Sequence, residues 1–357
     1  EGHLGATKTL LQLSVTAFTL SMGLSQFFAG PVSDAYGRKK PLLCATVLQI
    51  IALLGIILIP NINSILAFRA LQGLGAALMA VPARAIINDI LESDALKKQV
   101  NYLTITFAIG PIIAPFIGAY LQHYFVWQAS FVFLLLFSVL ILFMILFGYR
   151  ETHHDRSAFE TKVILRNYKH IFSDKSFRAW TVFSGLLFGY SVLFTVTGTF
   201  IVQKVMGYTV LDYGRVALLM GGAWFLGNIA NRIFFHADKH LKSKICLTGT
   251  LLAAIVLLIL ALLGSLSLWA LVIPAFFVIF FSGMQFPIYI GECLARFPKN
   301  TASANACLFS VTWCFFAAFS AIASGLEIHS LLPLAISYCI IATVSAVFYG
   351  LYVRRLT

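Results

Sequence analysis

The charges in this chain are few, and two groups of them are placed where they could do chemistry. In the stretch GPVSDAYGRKK (residues 30–40), Asp34 and Arg38 lie four residues apart, close enough to form an ion pair across a short loop, while Gly30 and Gly37 permit tight backbone turns. An ordinary basic loop beside a membrane would read the same way. Arg69 is different, because it falls inside a long apolar run, where a cation is costly unless it faces water, meets a partner or snorkels to the surface. A guanidinium keeps its proton at any accessible pH, so Arg69 would act by fixed charge and not as a proton carrier. Asp212 and Glu292 sit near the ends of other apolar runs, where solvation accounts for them.

The elements that must position these residues follow from composition. With 60% hydrophobic and 11% charged residues over 357 positions, the chain is too apolar for a water-soluble protein and reads as a polytopic membrane protein. A helix needs about 20 apolar residues to cross a bilayer. Eleven segments qualify: 7–29, 42–59, 65–88, 99–121, 129–149, 179–203, 211–235, 244–264, 268–291, 302–325 and 331–353. They are continuous runs without the alternation of a β-barrel strand, so the fold class is an all-helical bundle.

Lysine and arginine are retained on the cytoplasmic side of membranes. Placing residues 30–40 there puts all of the 25 basic residues on that side except Lys8, Lys204, Arg215 and Arg69, and makes the C-terminus cytoplasmic. The net charge of +12 is then a topology signal, and no nucleic-acid partner is expected. With eleven spans, Glu1 starts outside, so the reading expects a further apolar segment before it, with its own end in the cytoplasm. The polar interval 150–178 divides the chain into 1–149 and 179–357. Within that interval AFETKVILRNYKHIF forms an amphipathic helix, with Phe159, Val163, Ile164, Ile171 and Phe172 on one side and Lys162, Arg166 and Lys169 available to lipid phosphates. His153, His154 and His170 lack a second ligand cluster, and the six cysteines (Cys44, Cys246, Cys293, Cys307, Cys314, Cys339) lack pairable spacing; the latter are read as core thiols, and no metal site is expected.

A faint repeat links the halves, since Gly227-Asn-Ile-Ala-Asn231 with the basic residues after it stands where Gly30-Pro-Val-Ser-Asp34 stands in the first. GPVSDAYGRKKP resembles the loop signature of the major facilitator superfamily. RALQGLGAAL (69–78) is similar to that superfamily's fourth-helix motif, and AIGPIIAPFIGAYL (108–121) to the fifth-helix motif of its drug:proton antiporters. PARAIINDI (82–90), Trp127, the Glu-Thr at 151–152, the run 176–208 and TASAN (301–305) narrow the resemblance to Bcr/CflA-type exporters, over essentially the whole chain except that family's first helix. The resemblance implies two six-helix halves. It implies a gate in which Asp34 and Arg38 join Asp89, with the helix beginning near Thr301 facing Asp34 through its dipole. It gives Arg69 and Gln72 a coupling role, and it makes the helix containing Gly110, Pro111, Ala114, Pro115 and Gly118 one that blocks leakage and bends during the switch.

Midspan polar and aromatic residues are the candidates for a substrate chamber: Tyr190, Phe194, Trp224, Asn228, Met284, Gln285, Asn305 and Trp313. They describe an apolar space with a few hydrogen-bonding groups, suited to amphiphilic molecules. No phosphate-binding loop and no nucleophile, histidine and acid set is present, so the chain is read as a secondary transporter and not an enzyme, driven by a proton gradient without a cofactor. Export of drugs or metabolites by a monomer in a bacterial inner membrane is the leading expectation. Proton-coupled uptake of a siderophore or metabolite, and a non-transporting receptor on the same fold, stand as alternatives.

Overall fold

The structure is a computed structural model that describes residues 8–90, 110, 113–152, 159–234, 238–297 and 301–355. The described elements are helices: α1 (Lys8–Tyr36), α2 (Lys39–Leu58), α3 (Ile62–Ile90), α4 (113–124), α5 (Gln128–Phe143), α6 (Thr161–Ser173), α7 (Lys175–Leu193), α8 (Val210–Ile233), α9 (Lys239–Leu262), α10 (Leu268–Ala295), α11 (Thr301–Ser324) and α12 (Leu332–Phe348). Wider π turns continue α5 through Met144–Gly148, α7 through Phe194–Gly198 and Ile201–Val205, and α12 through Tyr349–Val353. An all-helical solution is what lipid demands, because each backbone donor and acceptor must pair within its own segment.

Among the described residues, eight helices are long and apolar enough to span a membrane. Of the eleven expected spans, α1 and α8 do not reach that apolarity. The reason is in their residues: α1 carries Gln12, Ser14, Thr16, Thr19, Ser25 and Gln26, while α8 carries Asp212, Arg215, Asn228, Asn231 and Arg232. The segment expected at 99–121 lies largely outside the described residues.

By contact, the chain groups into two compact units. One comprises 1–108, 125–173 and 297–317; the other comprises 109–124, 174–296 and 318–357. In the first, α1 packs most extensively on α3, α2 packs on α3, and α5 packs on α2. The second repeats this plan, with α8 on α10, α9 on α10, and α12 on α9, and adds α7 against α10 and α12. Glycine lets the principal pairs approach closely. A Cβ on Gly73 would run into the Phe18 carbonyl of α1, and one on Gly227 of α8 into the Phe280 carbonyl of α10. The grouping does not follow chain order, since α4 packs on α8, where Gly214 meets Ala119, and the first part of α11 packs on α1, where Gly23 meets Ser310 and Cys314.

The amphipathic helix α6 forms as expected but turns its apolar side to protein. Ile171 is fully buried and Val163, Ile164 and Tyr168 are partly so, whereas Lys162, Leu165, Arg166 and Lys169 are exposed. The reason lies in α1. Pro31 has no N–H, so the Phe27 carbonyl one turn earlier loses its intrahelical donor. The Tyr168 hydroxyl supplies that donor at 2.6 Å, and the rings of Tyr168 and Phe172 pack against Phe27. Burial of the hydroxyl raises the Tyr168 pKa well above the usual phenol value, which keeps it a donor.

The expectation of core thiols needs one correction. Cys246, Cys293 and Cys307 are buried and Cys314 and Cys339 intermediate, but Cys44 is exposed on an outward face of α2. All six are free thiols.

The geometry of α6 predicts a double-mutant cycle. Tyr168→Phe should destabilise the chain by about 1 kcal/mol, the net value of a hydrogen bond whose loss leaves a carbonyl unpaired. In a Pro31→Ala background the restored N–H should make Tyr168→Phe nearly neutral. Thermal unfolding of the four proteins in detergent checks this, and equal effects in both backgrounds would contradict it.

Candidate gate and coupling site

The loop between α1 and α2 places Arg38 at the start of α2 with its side chain only 6% exposed. Its Nη1 donates to Asp34 Oδ1 at 2.6 Å and to Ser33 Oγ at 2.8 Å, and its Nε donates to Asp89 Oδ2 at 2.8 Å. The guanidinium therefore ties the end of α1 to the end of α3. Burial alone would lower the Arg38 pKa, but the bonds and charges of Asp89 and Asp34 outweigh it and the net shift is upward. The bond to Asp89 is the more sheltered of the two, since the Asp89 side chain is 16% exposed and that of Asp34 38%. A buried pair of this kind leaves an uncompensated charge when one partner is removed, at a cost of about 3–5 kcal/mol.

Glu151 extends the cluster. Its two carboxylate oxygens accept the backbone N–H groups of Arg38 at 2.8 Å and Lys39 at 3.1 Å, which leaves a negative charge on the N-terminus of α2 where the helix dipole favours it. Lys39 Nζ reaches back to the Tyr149 carbonyl at 2.7 Å. Gly37 makes the approach possible on two counts. Its φ of 84° is in the left-handed region, and a Cβ there would collide with the Glu151 carboxylate. Sequence reasoning missed Ser33 and Glu151 as members of this site. The signal available for Glu151 was a carboxylate standing immediately after a span, next to a basic loop. Gly30 lines the two cavities beside Asp34, and in the first turns of α11 Ala306 lines both of them and Ser303 one. The side chain of Thr301 lies outside the described residues.

Arg69 lies two turns into α3, toward its other end. Its Nη1 donates to Gln72 Oε1 at 2.6 Å, its Nε to the Ser14 carbonyl of α1 at 3.3 Å, and its guanidinium carbon stands 4.4 Å from the Phe18 ring centre. Gln72 is buried, and its carbonyl accepts from Gln49 at 2.9 Å. No described carboxylate pairs with Arg69. The side chain is thus turned into the α1/α3 contact and satisfied there, which is not the posture of a snorkelling arginine.

The remaining candidates scatter. Pro115 and Gly118 lie on α4, Gly110 is helical, and Pro111 lies outside the described residues. Tyr190 and Phe194 are buried in the second unit, with Tyr190 edge-on to Tyr338. Trp224 packs on Phe188 and Phe286 and its carbonyl accepts from Asn228 at 2.8 Å. Met284 is buried, as is Gln285, which donates to the Ser243 carbonyl at 3.3 Å. Asn305 and Trp313 belong to the first unit, Trp313 stacked on Phe316. Asp212 caps α8 with Thr209 and pairs with Arg215, while Glu292 pairs with Lys239 at 2.9 Å. The latter bridge joins the start of α9 to the end of α10, the position that Arg38 and Asp89 occupy on α2 and α3. Among the described residues no group of histidines, cysteines and acids is placed to hold a metal; His153 and His154 lie outside them.

The profile of the Major Facilitator Superfamily matches residues 1–321. The chain belongs to that superfamily. It is a multi-pass membrane transporter and not an enzyme, and the resemblance read from the loop and helix motifs is borne out. A bicyclomycin resistance protein homolog of Haemophilus influenzae is 24% identical over 348 residues, covering 95% of this chain and 86% of that protein. Multidrug resistance protein D of Escherichia coli is 28% identical over 302 residues, covering 83% and 74%. Among solved structures, a D-xylose-proton symporter superposes with a TM-score of 0.74 at 13% identity, over 99% of this chain and 90% of that one, which is a likeness of fold.

Two substitutions separate the contributions at the α2 N-terminus. Gly37→Ala should cost about 1–2 kcal/mol from backbone conformation alone, plus whatever displacement of Glu151 adds. Glu151→Gln keeps the shape and loses the charge, and should cost about 0.3–1 kcal/mol. Thermal unfolding of the two variants should rank them in that order; a Gly37→Ala variant as stable as the parent would contradict the packing described.

Proposed function

We propose that this transporter exports small amphiphilic molecules, drugs or metabolites, across the bacterial inner membrane in exchange for protons. It works as a monomer, with the basic helix ends and the C-terminus in the cytoplasm. Support comes from the drug-resistance names of its relatives and from the excess of basic residues at one set of helix ends.

The observation that carries the mechanism is the placement of Arg69 and Asp89 on one helix. At 1.5 Å per residue they stand about 30 Å apart along α3, close to the thickness of a bilayer core. Asp89 is locked to Arg38 at the cytoplasmic end, and Arg69 is a fixed positive charge toward the other. In this reading the ion pairs of Asp34, Arg38 and Asp89 close the inner side, with Gly30 and Gly37 shaping the loop. The segment with Gly110, Pro111, Pro115 and Gly118 blocks leakage, and Tyr190, Phe194, Trp224, Asn228, Met284, Gln285, Asn305 and Trp313 serve the substrate path. A cation in the transport path lowers the pKa of an acid near it, which ties the release of that acid's proton to the path. The cluster of buried charges has no use in a receptor, and this favours transport.

The test is substrate-driven proton release from proteoliposomes. Arg69→Ala should still bind substrate but should not accumulate it against an imposed pH gradient, a loss of at least about tenfold in driven flux. Arg69→Lys should keep part of the coupling, because the charge persists while the planar fork that reaches Gln72 is lost. Undiminished uphill transport by Arg69→Ala would remove Arg69 from the mechanism.

A further inference from the structure

The first unit holds a cavity of about 320 Å³ beside the Arg38 cluster, lined by residues of α1, α3 and α11. Gln26 of α1 is among them. It has no exposed surface, and neither its carbonyl oxygen nor its amide nitrogen has a hydrogen-bond partner among the described residues. Asn305 of α11 lines the same cavity with a buried Oδ1 that is likewise without a partner. Across the space, Arg84 of α3 spends its Nε on the Ala80 carbonyl at 3.0 Å and lays its guanidinium 4.7 Å from the Phe309 ring centre, and among the described residues it pairs with no carboxylate. A buried amide left unsatisfied destabilises a protein, so a site that retains two of them with a guanidinium is built to receive a polar group.

The charge balance says which kind of group. Two carboxylates, Asp34 and Asp89, and two guanidiniums, Arg38 and Arg84, line the cavity and cancel formally. An anion would gain Arg84 but meet the acids, and a cation would meet the reverse. A neutral head that both accepts and donates suffers neither conflict: its acceptor takes bonds from Arg84 and the Gln26 amide, and its donor reaches the Asn305 or Gln26 oxygen. Val81, Ala85 and Ala306 give the apolar wall for the rest of the molecule.

We infer that this cavity is a docking site for the uncharged polar head of the transported molecule, a carboxamide or lactam carried on an apolar body. The inference rests on the export reading and names its substrate class; it adds Gln26 and Arg84, beside Asn305, to the residues that touch substrate.

Three probes of one shape test it: phenylpropionamide, phenylpropionate and phenylpropylamine, the last protonated at neutral pH. Equilibrium dialysis against purified full chain in detergent, with no gradient, should find the amide bound at least about tenfold more tightly than either charged analogue, the equivalent of one well-made buried hydrogen bond to a charged group. Gln26→Leu should lose that preference and bind the amide about tenfold more weakly, yet unfold at a higher temperature, because the unsatisfied amide is gone. A structural glutamine would show the opposite change in unfolding temperature. Gln26→Met serves the same comparison if the leucine variant does not fold. Equal binding of the three probes, or unchanged amide binding in both Gln26 variants, overturns the inference. Efflux of the amide from proteoliposomes under a pH gradient separates this from the function itself. Selective binding without driven efflux would leave the site standing and sink the export reading, and driven efflux with unselective binding would do the reverse.

Discussion

A guanidinium held away from water must be surrounded by acceptors, and at Arg38 that requirement organises one end of the first unit. Asp34, Ser33 and Asp89 supply the acceptors from two helices, and Glu151 supplies a carboxylate to the backbone beneath it. None of these groups can move alone. Separating α1 from α3 at this end would expose a cation and two acids together. A cluster of this sort gives two discrete states in place of a continuous range, which is the behaviour a gate needs.

The rest of the first unit follows from where that cluster sits. Gly73 brings α3 against the α1 backbone, so that a shift of one helix is felt by the other along their shared length. Pro31 breaks the hydrogen-bond ladder of α1 one turn before Asp34, and Tyr168 of α6 repairs it, which ties the linker helix to the same segment. Arg69 grips α1 through the Ser14 carbonyl and the Phe18 ring toward the far end of the contact. The α1/α3 pair is therefore held at both ends by arginines, one in ion pairs and one in neutral hydrogen bonds. Only the first kind of hold is sensitive to the state of a carboxylate.

The fold was legible because lipid leaves few options: long apolar runs mean helices, and basic residues collect at one set of ends. The Asp34 and Arg38 pair was visible from spacing alone, and Asp89 from resemblance. What spacing cannot carry is contact between distant segments. Glu151 lies more than a hundred residues from the amides it caps, and Tyr168 as far from the carbonyl it serves, so neither contact can be read from spacing. Amphipathicity identified α6 but not its partner, since an apolar face reads the same whether it meets lipid or protein. α1 and α8 are less apolar than the other helices, because glutamines, serines and asparagines stand among their apolar residues. The chamber residues were chosen for polarity at midspan, and buried Tyr190 and Gln285 show that such residues also find partners inside a helical unit.

Arg38 and Asp89, bonded at 2.8 Å, should behave as one unit. A double-mutant cycle with Arg38→Met and Asp89→Asn, read by thermal unfolding of the purified protein and by efflux in vesicles, tests it directly. Strong non-additivity is expected: each single variant loses most of the stability and flux at stake, and the double variant is no worse than Arg38→Met alone, because the more sheltered of the two carboxylates left unpaired has also been removed. Losses that simply add in both measurements would mean that the two residues act separately, and the gate described here would not exist.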